Sequence, residues 1–566
     1  MKNEKRSPLH LLILMASLVI ALALRLIRLG ALPLSAMEAE TALQALAVAR
    51  NSKTLLGPHI AYVGLTSFDF FIFNAGNFMA RFLPGIFGSL IVFVPFLFRA
   101  QIGHWPASLL SLVLAISPEM VGLSRVIGSP MIAFVALLLG IGFLLHCKPR
   151  LMGVALAVGL MSGAGFWMGG LTLGISFLIF RGLFGAGQLP GLLPVSPKRK
   201  FWLQAGFPFL ITLLVIGTGF FRAPAGLSGI FLGLSQFIRG FAHPVEAPWV
   251  LLPLTLIAYT PAALLLGVWG SLRGVVNRSK VELFLVIWWL VSLLLIILYP
   301  SSTPADMIWV ALPLWVLSVR VVTAAWRFPQ ESRLIVAVTA AIVVVLSAFI
   351  VLMLRALINP SLEQTQQMNY LIAMVGGVVL LLAIILLVNF GWSEEIALPG
   401  LLIGLGIVFS LGLIAGSVNS TGLTPEPGYE LWYPEEAILS PEWVQVSLER
   451  VMGWNKSGGT PVEIAVSDYD SPVMRWILRD EDPVDFVPYL PPQSQPGILI
   501  TDISKSPEIS NSYRGQSLVW SRDVLWQTMS PFNYLSWLIT RDAPTQANKI
   551  IFWARTDLMP DGQVLK

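Results

Sequence analysis

Cysteine is almost absent from this chain: 566 residues carry one, Cys147. A single thiol excludes an intrachain disulfide, so nothing here is stapled for an oxidising compartment. Charge is scarce as well. Only 12% of residues are Asp, Glu, Lys or Arg, where soluble domains carry about 25%. That shortfall excludes a chain whose whole surface faces water. The five histidines, His10, His59, His104, His146 and His243, lie apart, and none forms a ligand pair on a helix, so no metal constellation stands out. No cofactor is implied. No phosphate-cradling Walker loop is present, which speaks against ATP-driven transport.

What is abundant is hydrocarbon. Hydrophobic residues make up 56% of the chain, and the mean hydropathy is +0.77. A net charge of +5 does not indicate nucleic-acid binding, because the basic residues cluster between apolar spans, as membrane topology demands. Runs of spanning length, or slightly less, recur near 9–29, 82–98, 106–118, 127–146, 151–168, 170–186, 203–221, 249–269, 281–299, 306–323, 333–354, 369–389 and 397–417. The pattern predicts a mainly α, polytopic membrane protein of about 13 transmembrane helices over 1–418. The first run is long enough to span and lacks a small-residue cleavage site, so it reads as a retained anchor rather than a signal peptide. With Lys2, Lys5 and Arg6 in the cytoplasm, Arg99, Lys148, Arg150, Lys198, Arg199, Lys200, Arg273, Arg278, Lys280, Arg327 and Arg333 all fall on the same side. The odd count of spans then places the C-terminus outside. Composition changes after Val418. Short β-rich runs such as 462–466, 497–501, 517–520 and 549–553, with helical stretches between, predict a small extracytoplasmic α/β domain over 419–566.

Chemistry on the outer side needs polar groups there. The first outer loop, 30–80, holds Glu38, Glu40, His59 and Asp69, with Arg81 at its end. Carboxylates at a membrane boundary cost too much to stand without water or a partner. Glu38 and Glu40, two apart, point about 200° apart on a helix, so they cannot both face one substrate. One of them suits a general base and the other a solvated helix position, or both simply favour a helix N-terminus. Glu119 and Arg125 follow a Ser-Pro break. Arg125 suits a phosphate, or both residues set helix depth at the interface. Arg239 lies in a Gly/Phe-rich outer segment, 222–248, where it suits a lipid diphosphate or an interfacial anchor.

Several stretches together resemble the GT-C superfamily of membrane glycosyltransferases, the group of protein O-mannosyltransferases and aminoarabinose transferases. They are Leu24–Leu29, Met37-Glu38-Ala39-Glu40-Thr41-Ala42-Leu43, Ala80–Gly88, and Ile116-Ser117-Pro118 with Ser124-Arg125. The tail, with Met474–Asp480, Ser512–Gly515 and Ile551–Leu558, is similar to the added outer domain of bacterial members. The resemblance implies a bacterial cytoplasmic-membrane protein that inverts a sugar taken from a polyprenyl-phosphate carrier onto a lipid, glycan or protein acceptor. It also implies an Asp-Glu pair in the first outer loop, with the aspartate as base. Here Met37-Glu38 stands in that place, and the aspartate is missing. Glu38 is then the expected base with Glu40 in reserve, Arg81, Arg125 and Arg239 are expected on the carrier phosphate, and Asp69 and Glu119 are the remaining acidic candidates. Two other classes stay open. One is a translocation-associated protein for lipid-linked sugars. The other is a catalytically silent scaffold whose Trp432, Tyr433, Trp476, Trp520 and Trp526 stack on glycan.

Overall fold

The structure is a computed structural model and describes residues 8–185, 199–244, 249–326, 332–359, 362–423, 429–432, 437–439, 441–455, 462–491, 494–504 and 512–559. Lys2, Lys5, Arg6, Lys198, Arg327 and Tyr433 lie outside them.

Among the described residues, nine helices are long and apolar enough to cross a membrane, and a tenth span is a pair, Leu251–Tyr259 and Pro261–Val276, bent by 93°. The bend falls where Pro261 withdraws its N–H and pushes Thr260 out of the helical region, to φ −131° and ψ 40°. Three shorter apolar helices, His104–Ile116, Met131–Leu145 and Pro149–Leu160, occupy the remaining expected spans. The fold is therefore mainly α and polytopic, but these three are too short to cross a bilayer unaided. The first loop is helical too: Ala36–Ala49 and Ile60–Phe73.

Beyond Ser420 the chain forms one mixed sheet. Its strands are β1 (Ala437–Ile438), β2 (Ile464–Ser467), β3 (Val484–Val487), β4 (Ile498–Asp502), β5 (Tyr513–Val524) and β6 (Thr545–Arg555), in the order β1-β5-β6-β4-β2-β3. The short strands β2 and β4 are parallel and buried on both faces, which is why they read as unbroken apolar runs. The long pair β5 and β6 is antiparallel, and its burial alternates over its central part.

The sheet is not an appendage. First-loop residues Leu34, Ala39, Ala42 and Ile60 share one hydrophobic core with Ile464, Met474, Trp476, Ile500 and Trp520. Leu431, Trp432, Trp526 and Trp537 belong instead to the core of the helical bundle. Trp432, Trp476, Trp520 and Trp526 are 5%, 2%, 1% and 5% exposed. They are packing residues, and the expectation that they stack on glycan is corrected.

Candidate functional site

Ser35-Ala36-Met37-Glu38 has the S-x-x-E spacing of a capping box, and the structure forms one. Ser35 Oγ accepts from the Glu38 N–H at 3.3 Å, and Glu38 Oε2 accepts from the Ser35 N–H at 3.0 Å. The same carboxylate is clamped by Arg81. Arg81 Nε donates to Oε1 at 2.9 Å and Nη2 to Oε2 at 2.5 Å. The Ile127 N–H donates to Oε1 at 3.0 Å. Arg81 also donates to the carbonyls of Leu32 at 2.6 Å and Pro33 at 2.7 Å. Glu38 and Arg81 are 0% and 1% exposed.

A carboxylate offers about four acceptor positions, and Glu38 has four donors on it. In this arrangement all four positions are taken, and Glu38 sits as a buried carboxylate paired with Arg81. The Arg81 guanidinium is likewise engaged by protein acceptors. Arg125 is spent in the same way: Nη1 donates to the carbonyls of Leu24, Arg25 and Ile27, and Nη2 to those of Arg28 and Thr421. It closes the C-terminal end of the first span onto the end of the last, satisfying carbonyls that a helix end leaves open. Arg25, within the Leu24–Leu29 stretch but not itself a sequence candidate, is fully buried and donates to Ser124 Oγ and to the carbonyls of Leu114 and Ala115.

The other candidates scatter. Glu40 is exposed on helix Ala36–Ala49, and Arg239 is exposed at the end of helix Ser228–Arg239. Asp69 is half-buried on helix Ile60–Phe73, and burial pushes its carboxyl up. Glu119 is buried in the short helix Pro118–Leu123, where Oε1 accepts from Trp315 Nε1 at 3.0 Å and Ser117 Oγ at 3.2 Å. Burial outweighs those two bonds and raises its carboxyl to about 7. Among the described residues no group of three His, Cys, Asp or Glu is placed to hold a metal ion.

Met37 itself points to a different residue. Gly128 takes φ +80° and Gly163 φ +84°, a left-handed conformation that only glycine adopts freely. Both turns pack against His59, and the one at Gly128 also lies against Met37. A Cβ built on Gly128 would stand 3.7 Å from His59 Nε2 and 3.9 Å from Met37 Sδ. A Cβ on Gly163 would be 2.9 Å from His59 Cε1. Met37 is 43% exposed, and Glu40, three residues on, shares its helix face. The imidazole bonds to the Ser162 backbone, yet burial is the larger effect and holds its pKa below the ordinary histidine value. A ring N–H committed to that backbone leaves the second nitrogen an acceptor. His59 is visible in the sequence, but only as a histidine without a ligand partner. Nothing local ties it to Met37 or to residues 128 and 163.

A polytopic bundle with helices in its first loop and a C-terminal sheet domain docked on that loop defines a multi-pass membrane protein. The same architecture is found in ArnT from Cupriavidus metallidurans. One crystal structure, with undecaprenyl phosphate bound, matches at a TM-score of 0.52 and 14% identity over 96% of this chain and 98% of that one. A second, without ligand, matches at 0.51 and 14% identity with the same coverage. No family model and no curated protein matches the sequence.

Proposed function

We propose that this protein transfers a sugar from a polyprenyl-phosphate carrier to an acceptor hydroxyl at the sheet-bearing end of the bundle, with His59 as the proton acceptor. The acceptor oxygen attacks the anomeric carbon as the bond from that carbon to the carrier phosphate oxygen breaks. The polyprenyl phosphate leaves with the bonding electrons, and the hydroxyl proton passes to the free nitrogen of His59. The observation that carries this reading is His59, with Nε2 near Gly128 on the side that Met37 also approaches, in an ArnT-like fold. A base held neutral near pH 7 suits such a transfer. Glu40 is the remaining carboxylate on the same helix face, and Arg239 the remaining exposed cation for the carrier phosphate. The acceptor is a lipid, glycan or protein. We further place the sheet outside the cytoplasmic membrane. Arg99, Lys148, Arg150, Arg199, Arg273, Arg278 and Arg333 sit at helix ends remote from it, in keeping with the positive-inside tendency.

The test is transfer from labelled sugar-linked undecaprenyl phosphate by the reconstituted full chain. His59→Gln is expected to cut turnover by about 10²–10⁴ while leaving carrier binding intact. Full turnover in that variant overturns the assignment of the base. A second reading, a silent carrier-binding accessory protein, is favoured by Met37 in the expected aspartate's place and by the locked Glu38. In that case wild type binds undecaprenyl phosphate and moves no sugar from any donor.

A further inference from the structure

A large hollow lies away from this site. A cavity of about 1020 Å³ opens among the first turns of helices Pro8–Leu26 and His104–Ile116 and the last turns of Pro261–Val276 and Ile308–Ala325. That is the end of the bundle remote from the sheet: on the first helix, Ile13 lines the cavity, while Arg25 lies beside the opposite end.

Its walls are of two kinds. Ile13, Leu109 and Leu112 supply hydrocarbon. Arg273, Arg320 and Glu282 supply charge. Arg320 is committed: Nε and Nη2 donate to Glu282 Oε1 at 3.0 and 2.9 Å, and Nη1 donates to the Ile102 carbonyl at 2.9 Å. Arg273 is exposed and makes no ion pair among the described residues. Two guanidiniums against one carboxylate leave one positive charge. At the rim stand Trp105 and Trp326, 53% and 63% exposed, as indoles do at a membrane–water interface. A soluble anion would meet the charge but leave the apolar wall wet. A neutral lipid would cover the wall but leave the charge unmatched. The volume is at the upper end of the roughly 300–1,000 Å³ of small-molecule sites, enough for a headgroup and the first carbons of its chains.

We propose that this hollow binds a phospholipid whose headgroup carries one net negative charge, with the phosphodiester on Arg273 and the chains along Ile13, Leu109 and Leu112. Basic pockets between spans bind anionic lipid by this combination. The site is independent of the transfer reaction above, and it stands or falls without it.

The experiment uses the full chain purified in neutral detergent and a fluorescent phosphatidylglycerol as probe. Unlabelled dioctanoyl phosphatidylglycerol is expected to displace the probe at a concentration about fivefold lower than dioctanoyl phosphatidylcholine, as one interfacial arginine warrants. Inorganic phosphate is expected not to displace it. Arg273→Gln should erase the preference without altering thermal unfolding, because its side chain is exposed. Ala324→Trp, which fills the hollow, should weaken probe binding in protein that still unfolds cooperatively. Equal displacement by the two lipids overturns the proposal, and so does a preference that survives Arg273→Gln. Displacement by inorganic phosphate alone replaces the lipid with a soluble anion and overturns it as well.

Discussion

Replacing Glu38 by glutamine keeps its shape, removes its charge and strands its partner. Four donors converge on this carboxylate, two of them from the Arg81 guanidinium. In Glu38→Gln one oxygen becomes an amide NH2. It then presents a donor either to Arg81 Nε and the Ile127 N–H or to Arg81 Nη2 and the Ser35 N–H. Arg81 is left as a buried cation whose only remaining acceptors are neutral. Breaking one side of a buried ion pair costs about 3–5 kcal/mol, a large share of the roughly 5–15 kcal/mol that holds a domain folded. The assay is detergent-induced or thermal unfolding of the purified full chain, read by circular dichroism. Glu38→Gln should lose stability by that amount, and Arg81→Met should lose a similar amount. The double variant Glu38→Leu with Arg81→Met should recover part of the loss, because replacing both partners by apolar groups is often close to neutral. The two roles open to Glu38 diverge here. A catalytic base would leave stability near wild type and abolish turnover. A Glu38→Gln protein within about 1 kcal/mol of wild type would refute the structural assignment, since that is the worth of an exposed pair.

Arg125→Met should destabilise by more than about 3 kcal/mol, because carbonyls at the ends of two spans lose their donor, and Arg125→Lys should not restore it, an ammonium having no planar fork; unfolding of both variants checks this. Glu119 carries a carboxyl raised to about 7, so the folded state holds a proton that the unfolded state releases. Stability is therefore full below the unfolded value and falls as pH rises to about 7, by on the order of 3 kcal/mol, and unfolding at pH 5 and pH 8 should converge in Glu119→Gln. Gly122→Ala should cost about 1–3 kcal/mol, since a Cβ there would press into the Trp432 ring at Nε1, an indole packed on Tyr259; limited proteolysis should then cut near the start of the sheet domain sooner than in wild type. For the transfer reaction, burial lowers the His59 pKa, so the acid limb of the rate profile should fall below the ordinary histidine range near pH 6.5, and a limb at or above that value would contradict the environment described for the ring.

Much of this molecule is written locally. Long apolar runs specify membrane helices because no other element satisfies its own backbone within hydrocarbon, closed barrels aside. The S-x-x-E at Ser35–Glu38 specifies a helix start at one residue's resolution, and the two-residue offset of Glu38 and Glu40 specifies opposite faces; the structure buries one and exposes the other. The β-rich runs locate β2, β4, β5 and β6, because short buried strands and their alternation are legible within a few residues. The two-residue β1 and the half-exposed β3 carry no such pattern and escape a reading of the sequence.

Partners distant in sequence are decided only by folding. Arg81 meets Glu38 across 43 residues and Arg125 meets Thr421 across 296, so a guanidinium that looks ready for phosphate is already occupied. His59 is set among its neighbours by the turns at Gly128 and Gly163, far along the chain, which pack against it. Local pattern sets what each segment becomes, since periodicity and capping act within a turn or two. Which polar group is spent on the protein and which stays available depends on contacts that no segment contains by itself.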